Sequence, residues 1–285
     1  MTGARRIWLV ANDSSGSNDE QAHDRLARSC VDAGFVIERS IGFPEHDLPD
    51  PAALDAAGID LVAVFAGDGT VNALIDKLAG WNGAVLVLPG GTMNLLYHRL
   101  HGTREMDEVV RLAAAGAAKA TRPGVIACGH GTALVDLLAG PVAAWFHVRE
   151  AMRDADVLGV ADNAAQAIGD TLATAGIACR HPALGVAEGY PLVMLSPSDD
   201  GIEVSGFHAE TPAEVLKATW ALLTHRFREG PHDDLGLVGQ VTLASTTGEP
   251  FGILIDGERA ESPGVDDFRL VPCAVDLLAT RADDR

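Results

Sequence analysis

Two apolar runs, Asp60–Phe65 and Ala84–Leu88, each break into a glycine-containing turn: Ala66-Gly67-Asp68-Gly69-Thr70 after the first, Pro89-Gly90-Gly91-Thr92 after the second. A short apolar run without polar alternation predicts a strand buried on both faces, which soluble chains build as a parallel sheet covered by helices. The neighbouring stretches supply the rest of that pattern. Ile7–Ala11 and Phe35–Ser40 read as further strands, while Glu20–Ala33, Pro51–Ala57, Val71–Leu78, Asn94–Leu100 and Met106–Ala115 have helical patterning. The alternation over residues 1–122 predicts an α/β domain with a doubly wound parallel sheet. Ligands of such sheets bind beyond the carboxyl ends of the strands, where these glycine turns lie.

After Thr121-Arg122-Pro123-Gly124 the rhythm changes. Ile177–His181, Leu192–Leu195, Ile202–Gly206, Val241–Ala244, Phe251–Ile255 and Phe268–Val271 read as strands with few crossover helices between them. That pattern predicts an antiparallel, β-sandwich-like second domain over 123–285. Pro141–Asp154, Asn163–Ala175 and Pro212–Arg228 read as helices inserted into it, and the last 20 or so residues can return to the first domain. A length of 285 residues is enough for two such units, each burying its own core.

Charge narrows the partners. A formal net charge of −19 opposes binding to nucleic acid, and repels an anionic membrane at which each basic residue contributes only about 1 kcal/mol. Cys30, Cys128, Cys179 and Cys273 lie far apart, with no CxxC or metal-ligand spacing, and read as reduced thiols of a cytoplasmic protein. The apolar stretch near the N-terminus is too short for a signal peptide and runs straight into Asn12-Asp13-Ser14-Ser15-Gly16, so it reads as a first strand. Leu134–Val148 is apolar but contains Asp136, Gly140 and Pro141, and is too short to span a bilayer.

Three loops share a chemical character. Asn12, Ser14, Ser15 and Gly16 offer small side chains, hydroxyls and backbone N–H groups between a strand and a helix, where an anion can be held. They are also ordinary turn and capping residues. Gly67, Asp68, Gly69, Thr70 and Asn72 repeat the arrangement after the next apolar strand. Glycines let a phosphate approach the backbone, Thr70 can cap a helix or touch a phosphate, and Asp68 can orient a metal-bound water. Gly91, Thr92 and Asn94 end the adjacent strand in the same manner. A fourth element is distant: Ile253-Leu254-Ile255-Asp256-Gly257-Glu258 is a strand ending in an acidic turn. Asp-Gly is a common hairpin corner, yet a carboxylate is also what accepts a proton from an attacking hydroxyl.

In order and spacing, these four segments resemble the diacylglycerol kinase catalytic family, which includes bacterial lipid kinases and the sphingosine kinases. That family carries an NPxSG loop, a GGDGT loop, a PxGTxN loop and a late DGE. Pro197-Ser198-Asp199-Asp200-Gly201 is similar to its proline-to-DG segment. The resemblance implies ATP and Mg²⁺ bound at the three loops, a lipid-like alcohol as acceptor, and Asp256 and Glu258 in the catalytic site, with Glu258 accepting the proton. The net charge of −19 predicts a soluble protein whose contact with a substrate-bearing membrane is brief and hydrophobic, with Leu95, Leu96 and Tyr97 as a candidate apolar patch. Some bacterial relatives hold a structural magnesium in the second domain, for which Asp233 and Asp234 are candidates; the same residues read as a solvated acidic turn. This chain departs from the family at Asp13 (proline), at Ala66 (glycine) and at Leu95-Leu96-Tyr97-His98, where Asp-Phe-Ala-Arg is common.

Two other readings stay open. The GDG turn also resembles those of NAD kinases and phosphofructokinases, which phosphorylate soluble acceptors. Asp13 and the changes after Asn94 fit a nucleotide-binding protein without kinase activity.

Overall fold

The computed structural model describes residues 5–12, 20–140, 176–208 and 232–281. The helices expected at Pro141–Asp154, Asn163–Ala175 and Pro212–Arg228 lie outside the described residues. So do Asp13, Ser14, Ser15 and Gly16.

In chain order the elements are β1 (Arg5–Asn12), α1 (Glu20–Asp32), β2 (Phe35–Phe43), α2 (Pro51–Ala57), β3 (Leu61–Ala66), α3 (Asp68–Lys77), β4 (Ala84–Pro89), α4 (Leu95–His101), α5 (Met106–Ala114) and β5 (Lys119–Thr121). A run of strands follows: β6 (Gly124–Cys128), β7 (Gly131–Ala133), β8 (Leu137–Gly140), β9 (Ile177–His181), β10 (Leu192–Pro197) and β11 (Ile202–Phe207). The last are β12 (His232–Val238), β13 (Gln240–Ser245), β14 (Phe251–Ile255), β15 (Glu258–Ser262), β16 (Val265–Pro272) and β17 (Asp276–Ala279). The chain divides into two compact units, one of residues 1–123 with 272–285 and the other of residues 124–271.

The first unit is built on a six-stranded sheet in the order β2-β1-β3-β4-β17-β5. Its pairings are parallel except for β17 with β5. All six residues of β3 are buried, which is why the sequence there is apolar throughout rather than alternating. Local chemistry sets the helix ends. The carboxylate of Asp50 accepts from Ala53 N–H at 2.8 Å, Pro51 opens α2, and Gly58 closes it at φ 64, a left-handed cap that glycine adopts without strain. The C-terminal strand β17 inserts between β4 and β5.

The second unit holds two antiparallel sheets, β12-β11-β10-β8-β14-β15 and β7-β6-β16-β13-β9. One core serves both: Val193, Leu195, Ile253 and Ile255 of the first sheet pack with Ile126, Val241, Leu243 and Phe268 of the second. Leu254, Met194, Leu192 and Phe207 form a second buried cluster. Leu254 stands between Ile253 and Ile255, so the two clusters use opposite faces of one strand. The fold class read from the sequence, a parallel α/β domain followed by an antiparallel β domain, is the one observed.

Two local expectations need correcting. His232-Asp233-Asp234 is no turn; it opens β12, the edge strand of its sheet. Leu96 and Tyr97 are buried and only Leu95 is partly exposed, because α4 turns that face inward against β4. The three residues therefore make no exposed apolar patch. No helix among the described residues is long and apolar enough to cross a membrane.

Candidate active site

In the first unit, β3 and β4 run side by side with Ala66 opposite Pro89, so the two glycine turns leave the sheet as neighbours. They touch through their backbones. A Cβ on Gly91 would sit 2.5 Å from Gly67 Cα, and one on Gly90 would sit 2.5 Å from Ala66 N. Side chains are excluded there by packing alone. Asn94 fixes the second turn from inside: in the left-handed region at φ 51, it accepts from Gly91 N–H (2.7 Å) and donates Nδ2 to Gly91 O (2.8 Å).

Helix α3 begins at Asp68, three residues earlier than its apolar pattern predicts, because Gly67 is extended (φ −74, ψ 165) and serves as N-cap. Asp68, Gly69 and Thr70 are thus the first helical turn. Thr70 does not cap it; its buried hydroxyl accepts from Asn12 Nδ2 at 2.8 Å, tying the end of β1 to α3. Val71 N–H is the first to bond back into the helix, to Gly67 O at 3.1 Å, and Gly67 contributes no side-chain cap. The N–H groups of residues 68–70 therefore point out of the helix end with the positive pole of its dipole, a ready anion site.

Asp68 links the two turns. Its Oδ2 accepts from Leu95 N–H and its Oδ1 from Leu96 N–H, each at 3.1 Å. The carboxylate therefore caps α4, a role the sequence pattern did not disclose. An ionised carboxylate has about four acceptor sites, so each oxygen keeps capacity for a water. Asn72 follows on α3 and is half-buried, and Thr92 is exposed at the tip of its turn.

In the second unit, Asp256 and Gly257 join β14 to β15 with φ values of 47 and 86, the double positive φ of a type I′ hairpin turn. Ile255 pairs with Glu258 across it, and Glu258 is exposed. Asp256 is buried, and its carboxylate is a clamp: Oδ2 accepts from Leu134 N–H (2.7 Å) and Oδ1 from Val135 and Asp136 N–H (2.9 and 3.1 Å). Asp256 N–H donates to Asp136 O at 3.0 Å, and Asp136 accepts from Ser196 Oγ at 2.7 Å. Segment 134–136 thus belongs to this turn. Only Asp136, an acidic residue interrupting an apolar stretch, hinted at it.

Asp233 accepts from Tyr190 Oη and pairs with His208 Nε2, both at 2.9 Å. Those partners, His208 first, hold its carboxyl below the usual carboxylate range. Asp234 accepts from Gly236 N–H at 3.2 Å. Among the described residues no three His, Cys, Asp or Glu side chains are gathered as metal ligands.

Residues 6–126 match the family model of the diacylglycerol kinase catalytic domain. The family resemblance carried by the glycine turns is thereby borne out, over the first unit, and it supports the lipid-kinase class. Two similar solved structures, both from Bacillus anthracis str. Sterne, are described as a diacylglycerol kinase and "a putative diacylglycerol kinase". The first is 18% identical with a TM-score of 0.57, covering 98% of both chains. The second is 17% identical with a TM-score of 0.60, covering 98% of this chain and 99% of that one. At such identity the likeness carries the two-unit fold. No curated protein matches the sequence.

Proposed function

We propose that the protein is an ATP-dependent lipid kinase, transferring the γ-phosphoryl group to the hydroxyl of a diacylglycerol-like or other long-chain alcohol. The observation that carries the reading is the uncapped N-terminus of α3, beside a second glycine turn packed against it, inside a segment matching a kinase family. The open backbone N–H groups of residues 68–70 and the small residues Ser14, Ser15 and Gly16 suit a triphosphate. Asn12, Thr70 and Asn94 fix that frame.

The residues present also fit magnesium: Asp68, with spare acceptor capacity on both oxygens, would hold the ion through its water shell. The ion supplies charge neutralisation on the phosphate oxygens. Phosphoryl transfer rests chiefly on such positioning and charge. Glu258 accepts the proton of the acceptor hydroxyl, and Asp256 holds the turn that presents it. The reading includes a cytoplasmic location and brief contact with the membrane that carries the substrate.

Label from γ-³²P-ATP, incubated with the protein, Mg²⁺ and a lipid extract in detergent, should move to an organic-extractable product. Label in a water-soluble product would instead identify a soluble-acceptor kinase, and label remaining in ATP a non-catalytic nucleotide binder.

A further inference from the structure

A cavity of about 300 Å³ lies in the first unit, lined by Arg25, Arg28 and Ser29 of α1 and by Arg111 of α5. Three guanidinium groups from two helices converge there, in a chain of net charge −19. Four other arginines of this unit find a carboxylate, Arg5 with Asp60, Arg6 with Glu38, Arg104 with Glu108 and Arg122 with Asp276, while Arg39 lies over the Trp8 ring. Around the cavity the same opportunity is not taken. Arg28 with Asp32, and Asp107 with Arg111, stand at the i,i+4 spacing that favours ion pairs on a helix, and both acids line the cavity. Yet among the described residues no carboxylate pairs with Arg25, Arg28 or Arg111. Arg28 only donates Nε to Asp24 O at 3.1 Å.

We infer that this α1–α5 cavity is a binding site for a phosphate-bearing ligand, separate from the glycine turns. A carboxylate is planar and is satisfied by one guanidinium fork. A phosphate presents oxygens in several directions, so guanidiniums approaching from two helices can each meet one, with the Ser29 hydroxyl as a further donor. Asp32 and Asp107 oppose a bare dianion and suit a phosphoester attached to a polar or cationic group. Six of the seven lining residues are polar or charged, which suits a head group. Two sources share this chemistry: a soluble phosphoester and a phospholipid head group. The inference is independent of the phosphoryl-transfer reading.

The test uses the full chain and does not depend on turnover. Inorganic phosphate is titrated by calorimetry at constant ionic strength into the wild type, Arg28→Gln/Arg111→Gln and Asp107→Asn, after checking that all three melt at the same temperature. Losing two charge-assisted contacts should weaken the phosphate affinity at least about tenfold, and Asp107→Asn should strengthen it several-fold. In parallel, vesicles of phosphatidylcholine with and without phosphatidic acid are sedimented with wild type and the double variant. Retention on the acidic vesicles that the double variant loses assigns the site to lipid head groups. Phosphate binding without retention assigns it to a soluble phosphoester, the outcome expected for a chain this acidic. Affinities equal in all three proteins, with no difference in sedimentation, overturn the site. The Asp107→Asn arm keeps the test decisive if the double variant melts early, since general damage would not tighten binding.

Discussion

Thr280 donates its hydroxyl hydrogen to His101 Nδ1 at 3.0 Å across 179 residues of sequence, while His101 Nε2 donates to Val87 O at 3.2 Å. A carbonyl only accepts, so Nε2 carries a hydrogen, and burial keeps the ring neutral, which leaves Nδ1 to accept from the Thr280 hydroxyl. The bond joins β4, α4 and the residue after β17, at a fully buried imidazole. Burial pushes the His101 pKa down to about 4, against the smaller upward pull of Val87 O, and the Arg104 charge lowers it further. The unfolded chain, titrating at 6.5, therefore binds the proton first as pH falls, and the contribution to stability is complete above pH 6.5 and lost on the way down to 4. Between pH 7.5 and 5 it amounts to about 2 kcal/mol at most. Urea unfolding at those two pH values should show His101→Gln losing less stability on acidification than the wild type by about that amount. Equal losses would mean that the histidine is not held neutral.

The structure shows why some of this was legible and some not. The central strands β1, β3 and β4 are buried on both faces, so their apolar runs announced them. The edge strands β12 and β15 read HDDLGLV and ERAES. Charged residues blunt exposed edges against unwanted pairing, and the same charges make them look like loops. The glycine turns were visible as motifs, but their mutual packing was not, since nothing in spacing says that Gly91 meets Gly67. Likewise Asp68 and Asp256 stood out as acidic residues, while their partners are backbone N–H groups at Leu95, Leu96 and 134–136. Backbone donors leave no trace in side-chain identity.

The glycine contact predicts an asymmetry. Gly91→Ala would force a Cβ to 2.5 Å from Gly67 Cα, whereas Gly67→Ala would place one at 3.6 Å from Gly91 Cα, an ordinary contact. Overpacking against backbone typically costs about 1–3 kcal/mol. Gly91→Ala should therefore lower the melting temperature and raise the KM for ATP by splaying the turns, while Gly67→Ala melts close to wild type. Equal behaviour of the two would show that the turns are not in contact.

Asp68 has two jobs on this account, and two variants separate them. Asp68→Ala removes the acceptor of Leu95 and Leu96 N–H and should destabilise by about 1–2 kcal/mol, the usual cost of a lost helix cap. Asp68→Asn keeps one oxygen acceptor, so its stability loss should be smaller. Both remove the charge proposed to face magnesium, and both should lower kcat at least about a hundredfold. An Asp68→Asn protein that turns over normally would leave Asp68 as a helix cap alone.

The sharpest division is across the type I′ turn. Asp256 and Glu258 are two residues apart, yet the first is buried on three backbone N–H groups and the second is exposed. An alcohol is a weak nucleophile at neutral pH, and a carboxylate that takes its proton is typically worth about 10²–10⁴-fold in rate. Glu258→Gln keeps size and polarity and loses only basicity. It should melt with the wild type and lose kcat by that factor, with ATP affinity unchanged. Asp256→Asn tolerates the left-handed backbone, but its amide sets an NH₂ group against one of the N–H donors of 134–136. An unsatisfied buried donor costs about 1–3 kcal/mol, so this variant should melt early, and its activity should fall because Glu258 is no longer held in place. Melting temperature and turnover are measured on the same preparations. An Asp256→Asn protein that melts normally but is inactive would exchange the roles and make Asp256 the base.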